Sequence, residues 1–182
     1  MQIIYLIGFM GCGKSLTGLE LAKRLGYGFF DTDYLLKQKY DISIDKFVEI
    51  YGIERFREAE MIELMTLNKT ENTKNRIVAC GGGLPYSIGN MEYLNNTGIT
   101  IYLKTSIETI FERLAREKEN RFLIKKLNDN ELKTFIKKTL REREIFYNQA
   151  KIIFEVKNKN SDIKQTVSNL IKILNINILQ NQ

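Results

Sequence analysis

Apolar residues along the chain fall into two patterns. Short unbroken runs such as IIYLI and ITIYL alternate with longer stretches in which apolar positions recur every three or four residues. The first pattern predicts strands over Gln2–Ile7, Tyr27–Phe30, Arg76–Cys80, Ile99–Leu103 and Lys151–Val156. The second predicts helices over Lys14–Leu25, Ser43–Tyr51, Ile53–Asn68, Ser106–Glu117, Asn130–Phe146 and Ser161–Leu174. Helix-end signals agree with these bounds. Thr105 with Glu108 reads as a capping box, and Gly26 and Gly52 stand where a terminal glycine belongs. Runs apolar at every position suit strands covered on both faces, and strands alternating with helices suit a parallel sheet between helical layers. Pro85, the single proline, marks a turn after three glycines, and residues from about 175 read as a frayed tail.

The chain's 182 residues suit one domain with one core. Composition is that of an ordinary soluble protein, at 43% hydrophobic and 27% charged, and no apolar run is long enough to span a membrane. The N-terminal apolar run lacks the basic flank and cleavage site of a secretory leader. Cys12 and Cys80 form neither a disulfide framework nor a zinc spacing, which suits a reducing cytoplasm, and both read as small apolar fillers. Histidine is absent, so any general base must be another residue. The net charge of +6 and a pI near 9.2 favour anionic partners. Basic residues are interleaved with acidic ones, as in KLNDNELKTFIKKTLRERE, which argues for solvated helix faces rather than a nucleic-acid surface.

The stretch Gly8 to Ser15, GFMGCGKS, fits G-x-x-x-x-G-K-[ST] between a predicted strand and a predicted helix. Its glycines let successive backbone N–H groups turn inward as an anion nest, and the following helix adds its positive end. Lys14 would reach β- and γ-phosphates, and the Ser15 hydroxyl would ligate Mg²⁺. The loop therefore predicts a nucleotide and leaves the phosphate acceptor open.

Several stretches could recognise an acceptor. Asp31 and Asp33 in FFDTD stand where the second strand ends, one able to orient a metal through water and the other to orient or deprotonate a hydroxyl; a helix-capping Asx turn is the rival account. In ERFREAE, Arg57 lies among oppositely charged residues three apart, which alone reads as surface ion pairs. Gly81, Gly82 and Gly83 in succession cost backbone entropy and suggest close approach of a ligand. Arg121 falls in the densely charged stretch EKENRFLIKKLND, the candidate mobile segment, while Arg141 and Arg143 share a helix; such guanidinium forks suit carboxylates and phosphates.

Taken in order, GFMGCGKS, FFDTD, FREAE, CGGGLP, NRFLI and REIFYNQA resemble the shikimate kinases, a family of P-loop kinases, over nearly the whole chain. The resemblance implies a three-layer α/β fold, with a central five-stranded parallel sheet, helices on both faces and a mobile lid. It implies one kinase domain over residues 1–182, substrate-binding helices at about 32–68 and a lid at about 117–129. The implied reaction moves the ATP γ-phosphate to the 3-hydroxyl of shikimate, with Mg²⁺, in a cytoplasmic monomer with no nucleic-acid or membrane partner. Lys14, Asp33 and Arg121 would be catalytic, with Asp33 binding the hydroxyl as base. Gly11, Cys12, Gly13, Lys14, Ser15, Leu16 and Arg121 would hold ATP, with Arg113 or Arg116 and the loop after Val156 near the adenine. Asp33, Arg57, Gly81, Gly82, Gly83 and Arg143 would hold shikimate, Arg141 being the rival to Arg143, and Ser15 with Asp31, through water, the metal. Phe122 and Ile145 stand where the family usually carries proline. The alternatives are a P-loop kinase for another small acceptor such as gluconate and, from a different class, a non-enzymatic nucleotide switch or RNA-binding module.

Overall fold

The computed structural model of the protein describes residues 2–69, 75–121, 123–156 and 163–180. In chain order its elements are β1 (Ile3–Ile7), α1 (Lys14–Leu25), β2 (Gly28–Asp31), α2 (Thr32–Tyr40), α3 (Ile44–Lys69), β3 (Arg76–Ala79), α4 (Asn90–Thr97), β4 (Ile99–Thr105), α5 (Ile107–Glu117), α6 (Asp129–Tyr147), β5 (Ile152–Val156) and α7 (Ile163–Gln180). Single 3-10 turns lie at Leu84–Tyr86, around the lone proline, and at Lys118–Asn120.

All five expected strands form, in one parallel sheet of order β2-β3-β1-β4-β5. The alternation of β1 explains why its sequence is apolar throughout. Ile3, Tyr5 and Ile7 enter one core with residues of α3, α4, α5 and α6, whereas Ile4 and Leu6 enter another with Leu21 of α1 and Val167 and Leu170 of α7. A third, smaller cluster joins Leu36 of α2 to Phe47, Phe56 and Ala59 of α3.

The register sets the site. Leu6 pairs with Ala79, and Ala79 with Asp31, so β1, β3 and β2 end level and their outgoing loops leave from one edge. The chain leaves β1 toward β2 at one edge of the sheet and leaves β3 toward β4 on the other side, which makes the carboxyl ends of the neighbouring β1 and β3 the ligand crevice of an open α/β sheet.

Some boundaries differ from expectation for local reasons. Thr105 is the last residue of β4, and Ser106 caps α5 instead, its hydroxyl accepting from Thr109 N at 3.3 Å. Gly52 breaks α3 with φ of 82°, dividing it where two helices were expected. Helices α2 and α4 were not foreseen as separate elements; TDYLLKQKY and NMEYLNNT are short and largely polar. α7 continues past Leu174 to Gln180 through a stretch with no glycine or proline to stop it, and residues 181–182 of the expected tail lie outside the described residues. Among the described residues no helix is long and apolar enough to cross a membrane.

The charged stretch between α5 and α6 is tied to the core chiefly by Ile124, with Leu127 packed partly against the same cluster. Ile124 is fully buried in the core shared with α5 and α6, while Lys125 and Lys126 beside it are exposed. Ile124→Ala should cost about 2–5 kcal/mol at most, the range for a truncated core isoleucine. Because Ile124 is the fully buried apolar residue of this segment, trypsin cleavage after Lys125 and Lys126 should accelerate more than in a Leu64→Ala control of equal urea stability; equal acceleration would place Ile124 in the global core only.

Candidate active site

The phosphate loop closes on itself. Gly13 takes φ of 99° at the N-cap of α1 and offers no side-chain cap, so the first N–H groups of the helix face the cleft with room for an anion. Lys14 Nζ folds back to donate to the carbonyl oxygens of Gly8 at 2.8 Å and Phe9 at 3.0 Å, holding its ammonium over the nest. Cys12 and Cys80 are buried free thiols, and burial pushes the Cys80 thiol up, as their reading as fillers expects.

At the end of β2 both accounts of FFDTD hold at once. Asp31 Oδ1 accepts from Asp33 N at 3.0 Å and Tyr34 N at 3.3 Å, capping α2 as an Asx turn does. Its other oxygen accepts from Ser15 Oγ at 2.6 Å, joining β2 to the start of α1. Asp33 then points toward the glycine triplet; burial, and next the Asp31 charge, push its carboxyl above the usual range against Lys14, Arg57 and Arg121. Thr32 between them is fully buried and accepts from Gly81 N at 2.8 Å, a contact that nothing in the sequence announced.

The glycine triplet is required by its neighbours. A Cβ at Gly81 would collide with Glu60 Oε1 and lie 2.8 Å from Asp33 Oδ1, and one at Gly83 would overlap the Arg57 guanidinium. Arg57 donates to Glu60, whose side chain is wholly buried. Burial pushes the Glu60 carboxyl up to about 7 despite Arg57, with the Asp33 charge adding to the rise, and its Oε1 has no partner among the described residues. The surface-pair account of ERFREAE is correct only for Arg55 and Glu58, which are 68% and 58% exposed; Arg57 and Glu60, at 18% and 0%, turn inward.

Two arginines complete the walls. Arg143 Nη1 donates to Gly82 O at 3.2 Å and its guanidinium lies 5.9 Å over the Phe9 ring, whereas Arg141 is exposed. Arg121 Nη2 pairs with Glu117 at 2.7 Å.

These groups line two adjoining cavities. The larger, of about 470 Å³, runs from Gly11 to Thr17 past Asp31 and Arg113 to Val156, Ile163 and Thr166. The smaller, of about 290 Å³, holds Arg57, Glu60, Gly83 and Arg143, with Lys37 and Ser43 also on its wall. Met10, Asp33, Gly82 and Arg121 line both. Thus Gly11, Cys12, Gly13, Lys14, Ser15, Leu16, Asp31, Asp33, Arg113 and Arg121 meet in one cavity, while Arg57, Gly82, Gly83 and Arg143 meet in the other. Gly81 lies behind Asp33, Arg116 is exposed outside both cavities, and the loop after Val156 falls outside the described residues.

The donor set suits Mg²⁺. Ser15 and Asp31 offer two hard oxygens beside the anion nest, and a nucleotide's Mg²⁺ takes one or two protein oxygens and completes its octahedron with phosphates and water. Among the described residues no group of three His, Cys, Asp or Glu side chains forms an all-protein cage.

A sequence model of the shikimate kinase family matches residues 10–175. A shikimate kinase of Azobacteroides pseudotrichonymphae is 39% identical over 174 residues, covering 96% of this chain and 98% of that protein. The crystal structure of shikimate kinase from Bacteroides thetaiotaomicron superposes with a TM-score of 0.88 at 30% identity, over 96% of this chain and 98% of that one. Shikimate kinase from Acinetobacter baumannii, in complex with shikimate, gives a TM-score of 0.86 at 28% identity, over 97% and 94% of the two chains.

The Glu60 carboxyl gives a pH signature. Its folded pKa of about 7 lies above its ordinary 4.5, so the unfolded chain ionises first and Glu60 works against folding as pH rises through that window. The stability of the wild type relative to Glu60→Gln should therefore fall between about pH 4.5 and pH 7 and level off on either side. Urea unfolding at a series of pH values measures this, and parallel curves would show that Glu60 has the same pKa folded and unfolded.

Proposed function

The chain belongs to the shikimate kinase family, and on that premise we propose how its residues divide the transfer of the ATP γ-phosphate to the 3-hydroxyl of shikimate. The observation that carries the reading is the border of the two cavities. Asp33 and Arg121 stand between the phosphate loop on one side and the paired guanidinium groups of Arg57 and Arg143 on the other.

On the donor side, the N–H groups of Gly11 to Leu16 cradle the phosphates, and Lys14 exchanges the Gly8 and Phe9 carbonyls for the β- and γ-phosphate oxygens. Ser15 would ligate Mg²⁺, with Asp31 holding it through water, and the ion would supply neutralisation of phosphate charge. Arg113, which donates to Gly11 O at 3.1 Å, lies in this cavity and Arg116 does not, so the nucleotide contact falls to Arg113.

On the acceptor side, Arg57 and Arg143 grip the carboxylate and Asp33 orients the 3-hydroxyl and takes its proton. A raised carboxyl pKa narrows the gap to the hydroxyl it serves, and in a chain without histidine a carboxylate fills this role. Transfer through a loose transition state asks chiefly for positioning and positive charge, which Lys14 and Arg121 bring from opposite sides. Helices over about 32–68 form the acceptor wall, and the segment over about 117–129 acts as the lid that carries Arg121 and excludes water. Monomeric action in the cytoplasm belongs to the same proposal, and two free thiols agree with a reducing compartment.

A coupled assay of ADP release with shikimate, gluconate and nucleoside monophosphates tests the substrate, and preference for either of the latter two would overturn it. Asp33→Asn should lower kcat by roughly 10²- to 10⁴-fold with ATP binding near normal, the size of effect a general base supplies. A loss confined to ATP affinity would remove Asp33 from the acceptor side. Arg57→Ala should raise the KM for shikimate by about 10- to 100-fold, one charge-assisted hydrogen bond's worth; an unchanged KM would leave the carboxylate without this partner.

A further inference from the structure

Tyr147 closes α6 and is fully buried, yet the division of labour above gives it no task. Its hydroxyl donates to Gly82 O at 2.5 Å, and Arg143 Nη1, one turn earlier on the same helix, donates to that same oxygen at 3.2 Å. The Cα of Gly82 is crowded as well. A Cβ at Gly82 would come 3.2 Å from Met10 N and 3.4 Å from Gly8 O, so the residue is wedged between the phosphate loop and α6. The Tyr147 ring packs against Tyr102 of β4 with centroids 5.1 Å apart, which fixes where the hydroxyl can reach.

A carbonyl oxygen has two lone pairs. With Tyr147 on one, the other is left to the Arg143 guanidinium, which also hydrogen-bonds the Tyr147 hydroxyl and lines the acceptor cavity. Packing alone would be served equally by phenylalanine. We infer that Tyr147 is a positioning residue for shikimate's carboxylate: its hydroxyl locks the Gly82 carbonyl, and through it Arg143, in the geometry that accepts the acid. Burial pushes the phenol well above its ordinary pKa, so it remains a donor at any working pH.

The inference rests on Arg143 as a carboxylate clamp, and the test separates the two. KM for shikimate, KM for ATP and kcat would be measured for wild type, Tyr147→Phe, Tyr102→Phe, Arg143→Ala and the double variant Tyr147→Phe/Arg143→Ala. Tyr147→Phe should raise the KM for shikimate by roughly 5- to 30-fold, as expected for one lost buried hydrogen bond, with the KM for ATP unchanged. Tyr102→Phe removes a hydroxyl from the same ring pair without touching Gly82 and should leave both KM values alone. Added to Arg143→Ala, the tyrosine change should have little further effect, since both act through one guanidinium. An unchanged shikimate KM in Tyr147→Phe, a parallel rise for ATP, or full additivity in the double variant would overturn the inference. If Arg143→Ala leaves the shikimate KM unchanged, the clamp itself falls and the inference with it.

Discussion

Parallel pairing brings Leu6, Ala79 and Asp31 level across three strands, and the cleft is a consequence of that register. Because β1, β3 and β2 end together, the phosphate loop, the glycine triplet and the FFDTD turn leave the sheet side by side. A slip of one residue in any pair would turn its strand's side chains to the opposite face and carry its loop out of reach. Both faces of β1 are packed, so two cores oppose such a slip. The chemistry thus depends on apolar residues that touch no substrate.

The second requirement is electrostatic. Glu60 is wholly buried, Asp33 is pushed above its usual range, and Arg57 and Arg143 stand opposite them. Burying such charges opposes folding unless they are paired, and Arg57 with Glu60 meets part of that cost while one Glu60 oxygen stays without a protein partner. The cavity is therefore walled by charged groups, and one of them keeps a hydrogen bond unmade among the described residues.

Much of this was legible in the residues, for physical reasons that differ from element to element. Strands covered on both faces show as unbroken apolar runs, and α1 is marked by its glycines at each end, so these emerged within a residue or two. Helices α2 and α4 show no stripe because they are two turns long and mostly polar. At the site, GFMGCGKS carries its geometry locally, since backbone N–H groups do the binding. The arginines do not. Arg55 with Glu58 and Arg57 with Glu60 have the same spacing, and only the packing of α3 decides which pair is buried. Arg141 and Arg143 stand about 200° apart around α6, so one must face away, and the helix's docking selects which. Thr32 with Gly81, and Tyr147 with Gly82, are contacts between residues far apart in sequence, with no local signal.

The two oxygens of Asp31 are divided between two elements: one accepts from Ser15 at the start of α1, and the other caps the helix that presents Asp33. A single carboxylate thus acts as a mechanical linkage between the end of the phosphate loop and the first turn of α2. A displacement of Ser15 would pull on the same carboxylate that caps the first turn of α2. Functional tolerance at this position is correspondingly narrow, since a replacement must match both the charge of one oxygen and the reach of the other.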